Sequence, residues 1–134
     1  MNLALSTTLT TSFDDAVTRT RAALQEQGFG VLTEIDMQAT MKAKLGADME
    51  RYLILGACNP PLAHRAVEVN RQIGLLLPCN VVVREDPAVP GTVRIEAMNP
   101  QLLVQVTDEP ALAPIADDAG SRLQAAIDAL TAED

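Results

Sequence analysis

The chain has 134 residues, 48% of them hydrophobic, which is enough for one globular core and too many for a disordered protein. Only 2% are aromatic, namely Phe13, Phe29 and Tyr52, so the core must consist mainly of aliphatic side chains. The formal net charge is −8, and the segment from Asp108 onward, with seven acidic residues and one basic residue, carries −6 of it.

This composition argues against several classes of function. The chain has no basic stripe and few aromatic rings on which bases could stack, so we expect no nucleic-acid binding. No apolar run approaches the ~20 residues that span a bilayer, so we expect no membrane insertion. The N-terminus lacks the pattern of a secretory signal, which predicts a cytoplasmic protein whose Cys58 and Cys79 are thiols rather than a structural disulfide.

The first half of the chain shows clear starts and ends of elements. Residues 2–9 alternate between apolar and polar side chains, which predicts a half-buried strand. Ser12 is the expected N-cap of the first helix, with Asp15 at the capping-box position, and Gly28 is a natural stop. Residues 29–35 have the composition of a second strand.

A short helix is predicted directly after the second strand. Asp36 can cap its N-terminus and Gly46 can end it. Met37, Met41 and Leu45 recur at helical spacing, so we expect them to face inward.

The second half of the chain predicts three more strands, a second short helix and a final helix. The strands are expected at residues 52–58, 79–85 and 92–98. Residues 59–61 (Asn-Pro-Pro) open a helix with proline in its first turn, where no amide donor is missed. The apolar stripe of the final helix consists of Ile115, Ala119, Leu123, Ile127 and Leu130.

This order of elements predicts an α+β fold of β-α-β(4)-α type. Strands joined by short connections favour an antiparallel sheet with helices packed on one face. The two short helices are insertions between strands. No linker or repeat divides the chain, so residues 1–134 are expected to form a single domain.

The third strand departs from the usual alternation, because both of its faces are apolar. Leu53, Leu55 and Ala57 can face the helices, yet the opposite series is also largely apolar and comprises Tyr52, Ile54 and Cys58. Either the inserted helices or a second subunit must cover that second face. We expect a homodimer.

The most informative residues are two cysteine–asparagine pairs. Cys58-Asn59 ends the third strand, and Cys79-Asn80 begins the fourth. If these strands pair antiparallel, both cysteines lie near the same end of the sheet. The candidate ligand-binding residues are Gly56, Cys58, Asn59, His64, Cys79 and Asn80.

Four interpretations of these residues remain open. The helix N-terminus after Cys58 could lower its pKa and, with Cys79 nearby, support redox exchange. Cys58, His64 and Cys79 could bind zinc or copper(I), although their spacing is no recognised ligand pattern. The same helix N-terminus could bind a small carboxylate or phosphate, with Gly56 allowing close approach. Finally, both cysteines could simply be core residues.

Three sequence blocks resemble a known family. They read Gly-Phe-Gly-Val-Leu-Thr-Glu-Ile-Asp at 28–36, Leu-Gly-Ala-Cys-Asn-Pro at 55–60 with Leu-Ala-His following at 62–64, and Gly-Leu-Leu-Leu-Pro-Cys-Asn-Val-Val-Val at 74–83. Together they resemble the bacterial "domain of unknown function 302" family. The resemblance implies a small α+β fold similar to the sheet-and-helix unit of TATA-binding proteins, commonly found as a dimer. It supplies no accepted activity or cofactor.

The leading hypothesis is therefore a non-enzymatic, homodimeric module that binds a small ligand or another protein. The rival hypothesis is a thiol-dependent redox or metal-handling protein that uses Cys58 and Cys79. A purely structural or interaction role gains weight if the two cysteines are buried and apart.

Overall fold

The computed structural model describes residues 2–133. Its five strands are β1 (Ala4–Leu9), β2 (Gly30–Asp36), β3 (Tyr52–Cys58), β4 (Cys79–Glu85) and β5 (Val93–Met98). Its five α-helices are α1 (Phe13–Glu26), α2 (Met37–Leu45), α3 (Pro60–Val69), α4 (Gln101–Thr107) and α5 (Ala113–Glu133). Two 3₁₀ segments, Arg71–Leu76 and Pro110–Leu112, follow α3 and precede α5.

The strands form one antiparallel sheet in the order β1-β5-β4-β3-β2. This confirms the predicted α+β class and the two helical insertions, α2 and α3, between consecutive strands. The helix α4 was not predicted. It begins after Pro100, in a stretch where the sequence predicts no element between the fifth strand and the last helix.

Three predicted helix starts have the expected capping contacts. The side chains of Ser12, Asp36 and Asn59 accept hydrogen bonds from the backbone amides three residues further on, at 3.1, 2.9 and 3.3 Å respectively. Each bond satisfies an amide that has no partner within its own helix. Local side chains therefore fix where α1, α2 and α3 begin.

One face of the sheet is buried beneath α1 and α5. Alternate strand residues such as Leu55, Val83 and Ile95 are fully buried there, and Leu123 and Leu130 of α5 meet them. The alternation arises because successive side chains of a strand point to opposite faces. Burial of each large aliphatic side chain stabilises the fold by about 1.5–3 kcal/mol.

A second apolar cluster extends this layer along α5. It joins Leu62 and Ala66 of α3, Ile73 of the first 3₁₀ segment and Leu103 of α4 to Ile115. Because α3 and α4 contribute their buried residues to this cluster, they pack on the same side as α5. They do not supply the cover that the second face of β3 was expected to need.

The helix α2 contradicts the expected inward stripe. None of its nine residues is buried, and Leu45 is 74% exposed. Met37 and Met41 are only half-buried. The spacing of these apolar residues is helical, but the helix packs only partly against its own chain, which leaves Leu45 exposed.

Leu55→Ala should lower the free energy of unfolding by about 2–5 kcal/mol, because it leaves a cavity in the centre of the buried layer. Denaturant unfolding followed by circular dichroism measures this change. The matched control is Leu75→Ala, at a side chain that is 83% exposed, which should change stability by less than about 0.5 kcal/mol. Equal losses in the two variants would contradict the assigned core.

Candidate functional site

The pairing of β3 with β4 places the two cysteine–asparagine stretches at one end of the sheet. Cys79 pairs with Ala57, the residue before Cys58, and Asn80 pairs with Gly56. Both cysteines are free thiols; Cys79 is buried and Cys58 is half-buried. The expectation that they lie near the same sheet end is confirmed.

The cavity at this end is small and apolar. Cys58, Asn59 and Cys79 line it together with hydrophobic residues of the two clusters, among them Phe29 and Leu62. Its volume is about 30 Å³. A site for a small organic ligand typically needs roughly 300–1,000 Å³, so this cavity has room for no more than about one water molecule.

The other three candidate residues lie elsewhere. Asn80 is exposed on the opposite face of the sheet, and His64 is exposed on α3. Gly56 packs tightly, since a Cβ atom there would lie 2.1 Å from Thr33 Oγ1 and 2.7 Å from Pro78 Cγ. The space above Gly56 is thus filled by protein, and the idea that it admits a ligand to the backbone is wrong.

The N-terminus of α3 offers no free amide to an anion. Pro60 and Pro61 carry no amide hydrogen. The amide of Leu62 donates to Asn59 Oδ1 at 3.3 Å, and the amide of Ala63 donates to the Asn59 carbonyl at 2.9 Å. The anion site expected at this turn therefore has none of the donors on which it depended.

The thiols also lack the predicted activation. Burial raises the pKa of Cys58 above its ordinary range. Burial, together with the negative charge of an ionised Cys58, raises the pKa of Cys79 to about 11. Both thiols are therefore protonated near neutral pH, and the direction of the shift is opposite to the low pKa predicted for Cys58, because burial disfavours the thiolate.

The proposed metal ligands do not converge. His64 Nε2 lies 3.1 Å from Glu68 Oε1 one turn along α3, and its side chain is 74% exposed. Within residues 2–133 no group of three or more histidine, cysteine and acidic side chains is arranged to hold a metal ion. The set Cys58, His64 and Cys79 is therefore not a ligand set in this structure.

The open face of the sheet carries an apolar row that the sequence predicts only in part. We define the open-face ladder as Ile35, Ile54 and Val82, one residue from each of β2, β3 and β4. Ile35 pairs directly with Ile54, and Ile54 pairs directly with Val82. Ile35 is 47% exposed, the other two are half-buried, and none belongs to either apolar cluster.

The ladder continues into a polar half on the same face. Val82 pairs with Glu96, which in turn pairs with Ser6 on the edge strand β1. Glu96 Oε1 accepts a hydrogen bond from Arg84 Nε at 2.6 Å. Sequence parity identified Ile54 as outward-facing, but only the strand register shows that it continues into Ile35 and Val82.

Gly56→Ala should lower the free energy of unfolding by roughly 1–3 kcal/mol, because the new methyl group overlaps Thr33 and the rigid ring of Pro78. Thermal or denaturant unfolding measures the loss. Thr33→Ala in the same background should recover part of it. Gly74→Ala is the control, since a Cβ there meets nothing within 4 Å, and a similar loss in that variant would refute steric packing as the cause.

Raised thiol pKa values make the fold sensitive to alkali. The pKa of Cys79 is about 11 in the folded state and about 8.5 in the unfolded state. Its neutral thiol therefore contributes its full share of the unfolding free energy below about pH 8.5, and this share is lost as the pH rises toward 11. The loss should reach up to about 3 kcal/mol at Cys79. Cys79→Ala should flatten the fall in unfolding free energy between about pH 8.5 and 11, whereas parallel curves for the variant and the wild type would contradict the assignment.

No helix within residues 2–133 is both long and apolar enough to cross a membrane.

Comparisons with known proteins agree with the observed fold. The family model described as "Domain of unknown function DUF302" matches residues 5–130. The chain is also similar to an uncharacterised conserved DUF302 protein from Bacillus stearothermophilus, known from a crystal structure. The two share 32% sequence identity with a TM-score of 0.86, over 96% of this chain and 98% of that one. No curated protein matches the chain. With nearly its whole length matched, the chain belongs to the DUF302 family.

Proposed function

We propose that this chain is a non-enzymatic interaction module that acts as a homodimer, with the open-face ladder at the centre of the contact between the two copies. The observation that carries the proposal is the register of Ile35, Ile54 and Val82 across three neighbouring strands. These side chains form one continuous apolar row that neither of the chain's own clusters includes.

The physical reason lies in the two faces of the sheet. An antiparallel sheet with helices on one side normally alternates apolar residues on the covered face with polar residues on the solvated face. Here β-branched apolar residues occupy the uncovered face at three adjacent positions. Full burial of an exposed side chain of this size gains roughly 1.5–3 kcal/mol, and the gain is smaller for Ile54 and Val82, which are already half-buried.

The face is also suited to pairing with a second copy of itself. A two-fold axis near Ile54 would turn the apolar row over onto the same row of the partner. The polar residues Arg84 and Glu96 would then lie at the margin, where their own ion pair at 2.6 Å already satisfies both charges. The central apolar row itself carries no charge.

The rival thiol hypothesis has weaker support. The two cysteines adjoin a cavity of only about 30 Å³, and burial raises both of their pKa values. A thiol that exchanges disulfides needs a substantial thiolate fraction and access to a partner. A contact through the open-face ladder needs neither a thiolate nor an accessible sulfur atom, and we therefore favour the interaction role.

Ile54→Arg should weaken self-association by at least about 100-fold, because it places a charge in the centre of an apolar contact. Sedimentation velocity over a dilution series measures the change, and far-UV circular dichroism checks that the variant keeps its fold. The wild-type chain is expected to be dimeric at micromolar concentration.

The matched control is Val89→Arg, which makes the same type of change at a 51% exposed side chain in the turn between β4 and β5. It should leave self-association unchanged. A wild-type chain that is monomeric at micromolar concentration would contradict the proposal, and so would an equal weakening of self-association by both substitutions.

A further inference from the structure

We propose that the polar half of the open face is a binding site for a small organic carboxylate, in which Arg94 binds the charged group. The inference goes beyond the proposed homodimer and does not require it, because every group involved lies on one copy of the chain. Its basis is an arginine whose buried Nε atom has no hydrogen-bond partner within residues 2–133, beside a cavity large enough for a small molecule.

Arg94 lies directly opposite a second arginine. It pairs with Arg84 across β4 and β5, and like charges at directly opposed positions destabilise a sheet. Glu96 is close to both guanidinium groups but serves them unequally. Its Oε1 atom lies 2.6 Å from Arg84 Nε, whereas its Oε2 atom lies 4.0 Å from Arg94 Nε, beyond hydrogen-bond distance. The single carboxylate therefore neutralises Arg84 and leaves Arg94 with the weaker contact.

The other neighbours of the two arginines increase this difference. The hydrogen bond to Glu96, together with the negative charge of Asp86, holds the pKa of Arg84 above its usual value. The Nε atom of Arg94 is buried and donates to no group in the described part of the chain. A buried donor needs an acceptor, and a guanidinium group offers five such donors in one plane. Arg94 is thus the residue of the pair that can accept an anion from outside the chain.

A cavity of about 330 Å³ adjoins this cluster on the open face. Glu96 lines it, which brings the cavity close to Arg94. Its volume lies within the range of roughly 300–1,000 Å³ that is typical of sites for small organic ligands. Five further residues that line it are Leu3, Val82 and Met98, which are apolar, and Tyr52 and Asn80, which are polar.

The lining indicates the chemistry of the ligand. Leu3 is 68% exposed, and Val82 and Met98 are half-buried, so they offer apolar surface to a ring or a hydrocarbon chain. Tyr52 and Asn80 add a hydroxyl and a carboxamide for hydrogen bonds. The guanidinium fork of arginine matches a carboxylate with two parallel hydrogen bonds. A monoanion suits the site better than a phosphate, whose second negative charge would be repelled by the neighbouring acids.

The cavity and the open-face ladder overlap at Val82 alone. Most of the cavity lies on β1, β4 and β5, away from Ile35 on β2. A bound carboxylate therefore lies beside the apolar row rather than across it. Ligand binding and self-association can accordingly be measured as separate properties.

NMR titration tests the site with benzoate, a carboxylate attached to an apolar ring. We expect millimolar benzoate to produce saturable shifts at the amides of Asn80 and Glu96 and at the Nε–H signal of Arg94. Benzyl alcohol has the ring without the charge, and acetate has the charge without the ring. Each should bind at least about 10-fold more weakly than benzoate, because each lacks one half of the contact.

A matched pair of variants assigns the binding to Arg94. Arg94→Gln should raise the benzoate dissociation constant by about 10-fold, as expected for the loss of a charge-assisted hydrogen bond. Arg71→Gln removes the same charge at an exposed position on the first 3₁₀ segment and should leave it unchanged. Far-UV circular dichroism checks the fold, and Asn80→Ala, at an exposed residue, provides a second variant that should also weaken binding.

Three results would overturn the site. They are the absence of saturable shifts on the open face in the wild-type chain, equal binding of benzoate by the wild type and Arg94→Gln, and binding of benzyl alcohol as tight as that of benzoate. None of them bears on the homodimer, which is measured by sedimentation of the wild type and Ile54→Arg.

Discussion

Every prominent feature of this molecule follows from the one-sided burial of its antiparallel sheet. Because strand side chains alternate between faces, a single layer of helices can cover only half of them. Residues such as Leu55, Val83 and Ile95 receive that cover from α1 and α5. Their neighbours Ile54 and Val82 do not, although they are just as apolar. This unequal burial of apolar residues is the basis of the homodimer proposal.

The same constraint explains how the cysteine stretches pack. Cys79 lies on the covered face beside Ala57, where burial keeps its thiol protonated. Asn59 uses its side-chain oxygen to cap α3 rather than to hold a ligand. Pro60 and Pro61 then fill the first turn of that helix without offering donors. Asn59, Pro60 and Pro61, which the sequence suggested as part of a binding site, thus form the junction between β3 and α3.

Much of the fold could be predicted because its signals are local. Ser12, Asp36 and Asn59 fix helix starts through hydrogen bonds to amides three residues away. The alternation of a strand likewise depends only on neighbouring residues. The site could not be predicted in the same way. The tight packing of Gly56 depends on Thr33 and Pro78, which are distant in sequence and adjoin it only through the sheet.

The register of the strands is the second feature that could not be predicted from the sequence. Sequence parity shows that Ile54 faces away from Leu55, but pairing decides whether its neighbours are apolar or charged. The register supplies Ile35 on one side and Val82 on the other, and then Glu96 beyond. Likewise the stripe on α2 is visible in the sequence, whereas the incomplete cover that it receives from its own chain is a property of the folded topology.

The most direct test of the central claim is an isotope-filtered methyl NOE experiment on an equimolar mixture of ¹³C-methyl-labelled and unlabelled chain. The account predicts intermolecular NOEs to the methyl groups of Ile35, Ile54 and Val82. Intermolecular NOEs confined to residues on the outer surfaces of α1 and α5, or none at concentrations where the chain is dimeric, would contradict it.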